Sequence, residues 1–203
     1  MEGGPPDLKV VLVGPPDSGK SSMILSLTSD AYKNISAHTP TVFDTYRAKI
    51  GDSEGQTYQL RCRSIYIKLC NDLKLCSIWD TGLDADIRKS TFPGADAIMI
   101  CFPVNQSEED LFGTLKHFAE EAKPDCSNLF LVGTKTDLRG GGEETIVSLK
   151  EGMKLARRLN AKAYLECSTK ENNISVRKVF KDVAKHVSKT TKGRRYFLFD
   201  QKN

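Results

Sequence analysis

The chain has 203 residues, of which 39% are hydrophobic and 28% charged, with a formal net charge of +4 at pH 7. These values are ordinary for one soluble globular domain that can bury a core. So small a charge excess gives no argument for a nucleic-acid partner, because a solvated surface explains it. Six cysteines include no C-x-x-C pair, which favours reduced thiols in the cytosol over disulfides or a zinc site. We expect neither a signal peptide nor a transmembrane helix.

Strand-like and helix-like segments alternate along the chain, which predicts a parallel sheet with helices on both faces. Ligand-binding loops are then expected at the carboxyl ends of the strands. The polar residues 51–63 are interpreted as a surface insertion, with a partner-binding device as the alternative. The predicted strands are 8–13, 65–69, 73–79, 97–102, 129–132 and 163–166, with an extended segment at 41–50; the predicted helices are 20–28, 108–121, 145–159 and 175–187.

Residues 14–21 read Gly-Pro-Pro-Asp-Ser-Gly-Lys-Ser, the G-x-x-x-x-G-K-[ST] pattern of a phosphate loop. The loop follows an apolar strand and precedes a helix, which is the context that this motif requires. It predicts a nucleoside triphosphate with Mg²⁺: Lys20 reaches the β- and γ-phosphate oxygens, and Ser21 ligates the metal. Backbone N–H groups are expected to wrap the phosphates from Asp17, Ser18, Gly19, Lys20, Ser21 and Ser22.

The phosphate loop contains three unusual residues. Pro15 and Pro16 have no N–H to offer, but they precede the expected donors, so binding should survive. Asp17 places a carboxylate close to phosphate oxygens, and like charges repel. We therefore expect a looser, faster-exchanging nucleotide.

Two further motifs indicate that the base is guanine. Residues 133–138, Gly-Thr-Lys-Thr-Asp-Leu, follow a predicted buried strand. Asp137 can accept hydrogen bonds from N1 and the exocyclic amine of guanine, while the stem of Lys135 packs along the base. Residues 166–170, Glu-Cys-Ser-Thr-Lys, follow the last strand and would close the base pocket with a backbone N–H. Taken singly, each motif could also be an ordinary polar loop.

In this order the three motifs resemble those of Ras-superfamily small GTPases over residues 8–187. Residues 39–46, 93–96, 101–105 and 164–168 resemble the Rho/Rac branch, as does Thr134 where most Ras relatives have asparagine. The resemblance implies a P-loop NTPase fold, a small G-domain whose mostly parallel six-stranded sheet has helices on both faces. It also implies GTP and GDP as ligands and Mg²⁺ as cofactor.

The resemblance implies roles for further residues. Thr41 would ligate Mg²⁺ and sense the γ-phosphate, Asp80 would hold Mg²⁺ through water, and Gly82 would meet the γ-phosphate through its N–H. Thr41 and Lys20 are the implied catalytic residues, with Asp84 as a weak further candidate. The implied guanine site comprises Tyr32, Thr134, Lys135, Asp137, Ser168, Thr169 and Lys170.

The chain departs from the family at switch II. The family reads D-T-A-G-Q-E, whereas residues 80–85 read Asp-Thr-Gly-Leu-Asp-Ala. The family's glutamine orients the attacking water, in a reaction that depends on positioning and charge stabilisation. Asp84 is a poor replacement because it adds negative charge beside the γ-phosphate. Pro16 stands where the family has glycine beside that phosphate. We therefore expect slow or impaired GTP hydrolysis.

The resemblance implies effectors, exchange factors or GTPase-activating proteins that bind residues 39–46 and 80–91. Residues 139–146 are too short for the Rho insert helix. The end of the chain has no C-a-a-X cysteine, so no lipid anchor is expected. A weak membrane contact of the basic tail is one interpretation; a frayed or partner-docking tail is the other. The expected organisation is a flexible segment 1–7, a G-domain 8–187 and a tail 188–203, in the cytoplasm or peripheral at a membrane.

Three functions follow from these observations. The first is a Rho-like GTP/GDP switch in signalling with slow hydrolysis. The alternative is a GTP-locked or nucleotide-weak scaffold on the same fold. A P-loop kinase is the third, and the residues 134–137 and the lack of an arginine-rich lid argue against it.

Overall fold

The computed structural model describes residues 8–28, 61–69, 72–81, 85–139, 147–170 and 173–199. Within these ranges the chain alternates between strands and helices as expected for an α/β fold. The strands are Leu8–Val13 (β1), Arg61–Leu69 (β2), Asp72–Asp80 (β3), Ala97–Pro103 (β4), Leu129–Thr134 (β5) and Ala163–Glu166 (β6). The helices are Lys20–Thr28 (α1), Ala85–Thr91 (α2), Glu108–Ala122 (α3), Leu149–Arg158 (α4) and Asn173–Phe199 (α5).

The strands form one six-stranded sheet in the order β2-β3-β1-β4-β5-β6. Strand β2 runs antiparallel to β3, with Arg61 opposite Asp80, and all other neighbours are parallel. The predicted fold, a mostly parallel six-stranded sheet with helices, is therefore confirmed. The strand order reverses at β1, so the crevice at its carboxyl end lies where ligands bind in sheets of this type.

The core lies on both faces of the sheet, because successive strand residues point to opposite sides. Val10 and Leu12 belong to one apolar cluster, which includes Met23 of α1 and Phe180 of α5. Val11 belongs to the other, which includes residues of α3 and α4. Burial on both faces explains why β1, β4 and β5 are continuous apolar runs in the sequence.

Helix α4 begins later than predicted because a capping box precedes it. Ser148 Oγ accepts a hydrogen bond of 3.3 Å from the Glu151 amide, and Glu151 Oε2 accepts one of 2.8 Å from the Ser148 amide. The hydrogen bonds from Ser148 also lower the pKa of Glu151. Of the apolar residues in this helix, Leu155 is buried, whereas Leu149 and Met153 are 51% and 45% exposed.

Helix α5 runs from Asn173 to Phe199, past the predicted end at residue 187. The predicted apolar stripe on this helix is confirmed, since all its members are at most 2% exposed: Val176, Val179, Phe180, Val183 and Val187. The segment 188–203, predicted as a tail beyond the G-domain, is thus helical up to residue 199. No helix among the described residues is long and apolar enough to span a membrane.

Two other sequence interpretations change. Residues 61–63, taken as the end of an insertion, belong to β2, where antiparallel pairing with β3 extends the strand. Helix α2 was not predicted, although its acidic first turn (Asp86) and basic last turn (Arg88 and Lys89) are typical helix-end signals. Residues 41–50 and 51–60 lie outside the described part of the chain.

Candidate functional site

The phosphate loop connects β1 to α1 and packs against β4. A Cβ on Gly14 would lie 2.1 Å from the carbonyl oxygen of Cys101, so only glycine fits there. Three loop residues have positive φ: Gly14 at 146°, Asp17 at 57° and Gly19 at 81°. Aspartate tolerates this left-handed conformation better than most side chains do. Asp17 is exposed to solvent.

Lys20 reaches back over the loop that precedes it. Its Nζ donates hydrogen bonds to the carbonyl oxygens of Gly14 at 3.0 Å and Pro15 at 2.9 Å, and to Ser18 Oγ at 3.0 Å. The side chain is nearly buried, and this burial lowers the pKa of Lys20. Pro15 therefore contributes to this contact as an acceptor, through its carbonyl group. The contact does not need the N–H that proline lacks.

A hydroxyl and a carboxylate meet beside the phosphate loop. Ser21 Oγ, at the start of α1, donates a hydrogen bond of 2.5 Å to Asp80 Oδ2 at the end of β3. Strand pairing places Asp80 opposite Leu12, and Thr81 Oγ1 donates to the Leu12 carbonyl oxygen at 2.9 Å. Hydroxyl and carboxylate oxygens are ligands that Mg²⁺ accepts. These two side chains therefore fit a magnesium site.

Thr134, at the end of β5, bonds to the phosphate loop. Its Oγ1 lies 2.7 Å from the carbonyl oxygen of Ser18 and 3.1 Å from that of Phe102. The side chain is 3% exposed, and a Cβ on Gly19 would lie 3.3 Å from its Oγ1. Thr134 therefore links the predicted base-binding loop to the predicted phosphate-binding loop.

The loops after β5 and β6 are bonded to each other. Ser168 Oγ donates to Asp137 Oδ1 at 2.6 Å, and the Lys170 amide donates to Ser168 Oγ at 3.2 Å. Lys170 Nζ also lies 3.9 Å from Asp137 Oδ2. Lys135 has a left-handed backbone with φ of 58°, which turns the chain sharply between β5 and the 3-10 turn Thr136–Leu138. Thr169 lies within the second loop, between Ser168 and Lys170.

The structure thus brings together the predicted phosphate residues 17–22, the metal pair Ser21 and Asp80, and most of the predicted guanine residues. The remaining predicted site residues lie outside the described part of the chain: Tyr32, Thr41, Gly82 and Asp84. Cys167, directly after β6, is buried, and this burial raises the pKa of its thiol to about 12, which makes it an unreactive core residue.

Sequence reasoning missed two ion pairs next to the site. Arg139 contacts Glu166 at 2.6 and 2.7 Å through two parallel hydrogen bonds. Arg88 of α2 contacts Glu121 of α3 at 2.5 and 3.0 Å, with only 6% and 5% of the two side chains exposed. The partners are far apart in sequence, so no local pattern indicates them.

Comparison with known proteins agrees with this geometry. A sequence model of the Ras family matches residues 9–189. The chain is 28% identical over 186 residues to the human Rho-related GTP-binding protein RhoE, covering 85% of this chain and 68% of the relative. It is 30% identical over 196 residues to the GTP-binding protein RHO1 of Candida albicans, covering 89% and 88%. The chain therefore belongs to the Ras family of small GTPases. Within that family it is Rho-like.

Proposed function

We propose that this chain is a guanine-nucleotide switch in signalling that binds GTP and GDP with Mg²⁺ and hydrolyses GTP slowly. The observation that carries the proposal is the convergence of three loops at one edge of the sheet. The phosphate loop, the loop of Asp137 and the loop of Ser168 are joined by the bonds of Thr134 and Ser168. Together they would form one nucleotide site, with the Lys20 ammonium at the phosphate end and the Asp137 carboxylate at the base end.

At the phosphate end, Lys20 supplies the charge. Its ammonium group already points into the loop, where it has three oxygen partners. A bound phosphate would replace some of these neutral acceptors with anionic ones, which form stronger hydrogen bonds. The α1 N-terminus adds backbone donors and a positive dipole end. Mg²⁺, held by Ser21 and through water by Asp80, would neutralise phosphate charge.

At the base end, Asp137 selects guanine. The carboxylate accepts from N1–H and from the exocyclic amine at C2 of guanine, whereas adenine has an acceptor at N1 and no amine at C2. Ser168 orients this carboxylate through its 2.6 Å hydrogen bond. Lys135 and Lys170 flank the base, and we propose that Thr169 and Tyr32 complete the pocket.

We attribute slow hydrolysis to the residues expected around the γ-phosphate. Residues 80–85 contain no glutamine to orient water, and Asp84 would add charge of the wrong sign. Pro16 and Asp17 are exposed residues of the phosphate loop, where a ring and a carboxylate would crowd and repel the transferring group. We propose that Thr41 and Gly82 contribute to the γ-phosphate contact, as the family resemblance implies.

We further propose protein partners of the regulator and effector classes, which would bind residues 39–46 and 80–91. Helix α2 lies within the second range and exposes Asp86, Lys89 and Ser90 to solvent. In this proposal residues 8–187 form the nucleotide-binding domain, in the cytoplasm or peripheral at a membrane. The helical extension carrying Lys189, Lys192, Arg194 and Arg195 would make a weak contact with an anionic bilayer.

The test is single-turnover hydrolysis of bound GTP, with and without a Rho-type activating protein. A slow rate above the buffer background supports the switch. A rate equal to background, with GTP copurifying, would instead support the GTP-locked scaffold. Displacement of bound GTP by ATP as efficiently as by GDP would reopen the kinase alternative.

A further inference from the structure

The two loops of the guanine site are joined at two levels. Asp137 meets Ser168 at the pocket, and two residues further along the first loop Arg139 meets Glu166, two residues before Ser168. The second connection is farther from the predicted base position, since Glu166 ends β6 and Arg139 follows the 3-10 turn. Each loop is therefore fixed to the other at two points.

Arg139 also holds a third segment. Its Nε and one terminal nitrogen donate to the carbonyl oxygen of Val147 at 3.2 and 2.7 Å. Val147 lies just before the N-cap of α4, and its own amide donates to the Val104 carbonyl oxygen at 2.7 Å. One guanidinium group thus binds the end of the 3-10 turn, the end of β6 and the entry to α4.

This arrangement depends on the planar fork of arginine. Two parallel bonds to Glu166 leave the remaining edge of the guanidinium for Val147, a geometry that a lysine ammonium cannot reproduce. The two side chains are 27% and 20% exposed, so water screens the pair less than it screens a surface ion pair. Burial, the largest single influence, raises the pKa of Glu166, but the combined effect of its neighbours, chiefly the hydrogen bonds and charge of Arg139, outweighs burial and lowers the pKa.

We infer that Arg139 is a positioning residue for base selection: through Glu166 and Val147 it holds the 3-10 turn that presents Asp137 to guanine. The inference rests on the proposed guanine-nucleotide function and deepens it. In this role Arg139 makes no contact with the base. It acts by keeping the Asp137 carboxylate in register with Ser168, so its loss should weaken the contacts that Asp137 makes and spare those of the phosphate loop.

The test compares GDP with inosine diphosphate, which lacks the exocyclic amine, in the full-length chain with Mg²⁺. For Arg139→Lys we expect GDP affinity to fall about tenfold, the range for a lost hydrogen bond to a charged group. The affinity for inosine diphosphate should fall less. The ratio of the two affinities, which measures the preference for GDP, should therefore decrease by about threefold or more. Arg157→Lys, at an exposed arginine of α4, is the matched control and should leave both affinities unchanged.

Glu166→Gln provides a second variant in case Arg139→Lys does not fold, and it should narrow the preference in the same direction. Melting temperatures are measured in parallel. A preference for GDP that stays at its wild-type value in both variants overturns the inference, even if both proteins are less stable. A wild-type chain that binds neither nucleotide overturns the proposed function itself, so the two failures are distinguishable.

Discussion

Thr134 Oγ1 donates a hydrogen bond of 2.7 Å to the carbonyl oxygen of Ser18, across 116 residues of sequence. Ser18 lies in the phosphate loop, and Thr134 ends the strand that leads to the predicted guanine motif. The bond is buried, so it couples the positions of the two ends of the proposed nucleotide pocket. A substitution at one end of the proposed pocket should therefore also affect the other end.

Thr134→Val tests this coupling because valine has nearly the same shape but no donor. The carbonyl groups of Ser18 and Phe102 would lose a buried partner, at a cost of about 1–3 kcal/mol in the free energy of unfolding. GDP should also dissociate faster. Urea unfolding and nucleotide release measure the two effects. Thr114→Val, at an exposed position of α3, should change neither. Equal results for the two variants would show that the bond is unimportant.

Asp17→Asn tests the repulsion between the loop and its phosphates. Asparagine tolerates the left-handed backbone observed at this residue, 57° in φ, so the substitution removes charge and little else. We expect GDP and GTP to dissociate about tenfold more slowly, since one unit charge near a phosphate is worth roughly a kcal/mol or more. The gain should shrink at high salt. Asp125→Asn, in the exposed turn after α3, is the control. Faster release from Asp17→Asn would contradict the repulsion.

Ser21→Ala tests the magnesium site. In the wild-type chain, chelation of Mg²⁺ should accelerate GDP release about tenfold or more, because bound metal stabilises the liganded state. In the variant, GDP release should already be fast without chelator, and the chelator should accelerate it little further. Stopped-flow release with and without chelator gives the comparison. The exposed Ser127 offers Ser127→Ala as a control, expected to respond to the chelator like wild type. A full chelator response in Ser21→Ala would remove Ser21 from the metal site.

Gly152→Ala should destabilise the fold even though alanine is about 1 kcal/mol more favourable than glycine inside a helix. A Cβ at this position would lie 2.1 Å from Cζ of Tyr164, so the ring would have to move, at a net cost of about 1–3 kcal/mol. Gly113→Ala in α3 is the matched control, because its Cβ would meet nothing within 4 Å. It should stabilise the protein. Chemical denaturation measures whether each variant is more or less stable than the wild-type chain. A stabilised Gly152→Ala would show that Tyr164 has room to shift.

Glu121→Gln tests the attachment of α2 to α3. Because the pair with Arg88 is almost completely buried, the variant leaves the guanidinium without its counter-charge and should cost about 3–5 kcal/mol. Its neighbour provides the control: Glu120 lies 3.6 Å from Lys116, with more than half of each side chain exposed. Glu120→Gln should change the free energy of unfolding by less than about 1 kcal/mol. Similar losses of unfolding free energy in the two variants would mean that burial of the Arg88–Glu121 pair does not make it more important for stability.

Much of the fold could be predicted because its signals are local. A parallel strand buried on both faces is a continuous apolar run, and α5 shows its apolar stripe at helical spacing. The phosphate loop is contiguous, so its glycines and Lys20 are visible in eight residues. Element ends were less predictable. Helix α4 begins where Ser148 and Glu151 form a capping box, and Leu149 and Met153 are exposed although their spacing resembled a buried stripe.

The sequence alone determined the class of fold, and it located the three loops predicted to bind nucleotide and their order along the chain, since each depends on neighbouring residues. Only the tertiary structure decided how the loops are joined. Thr134 to Ser18, Ser168 to Asp137 and Arg139 to Glu166 are contacts between residues distant in sequence. No single segment encodes them, because they exist only once strand order and register have brought the carboxyl ends of β1, β5 and β6 to the same edge of the sheet.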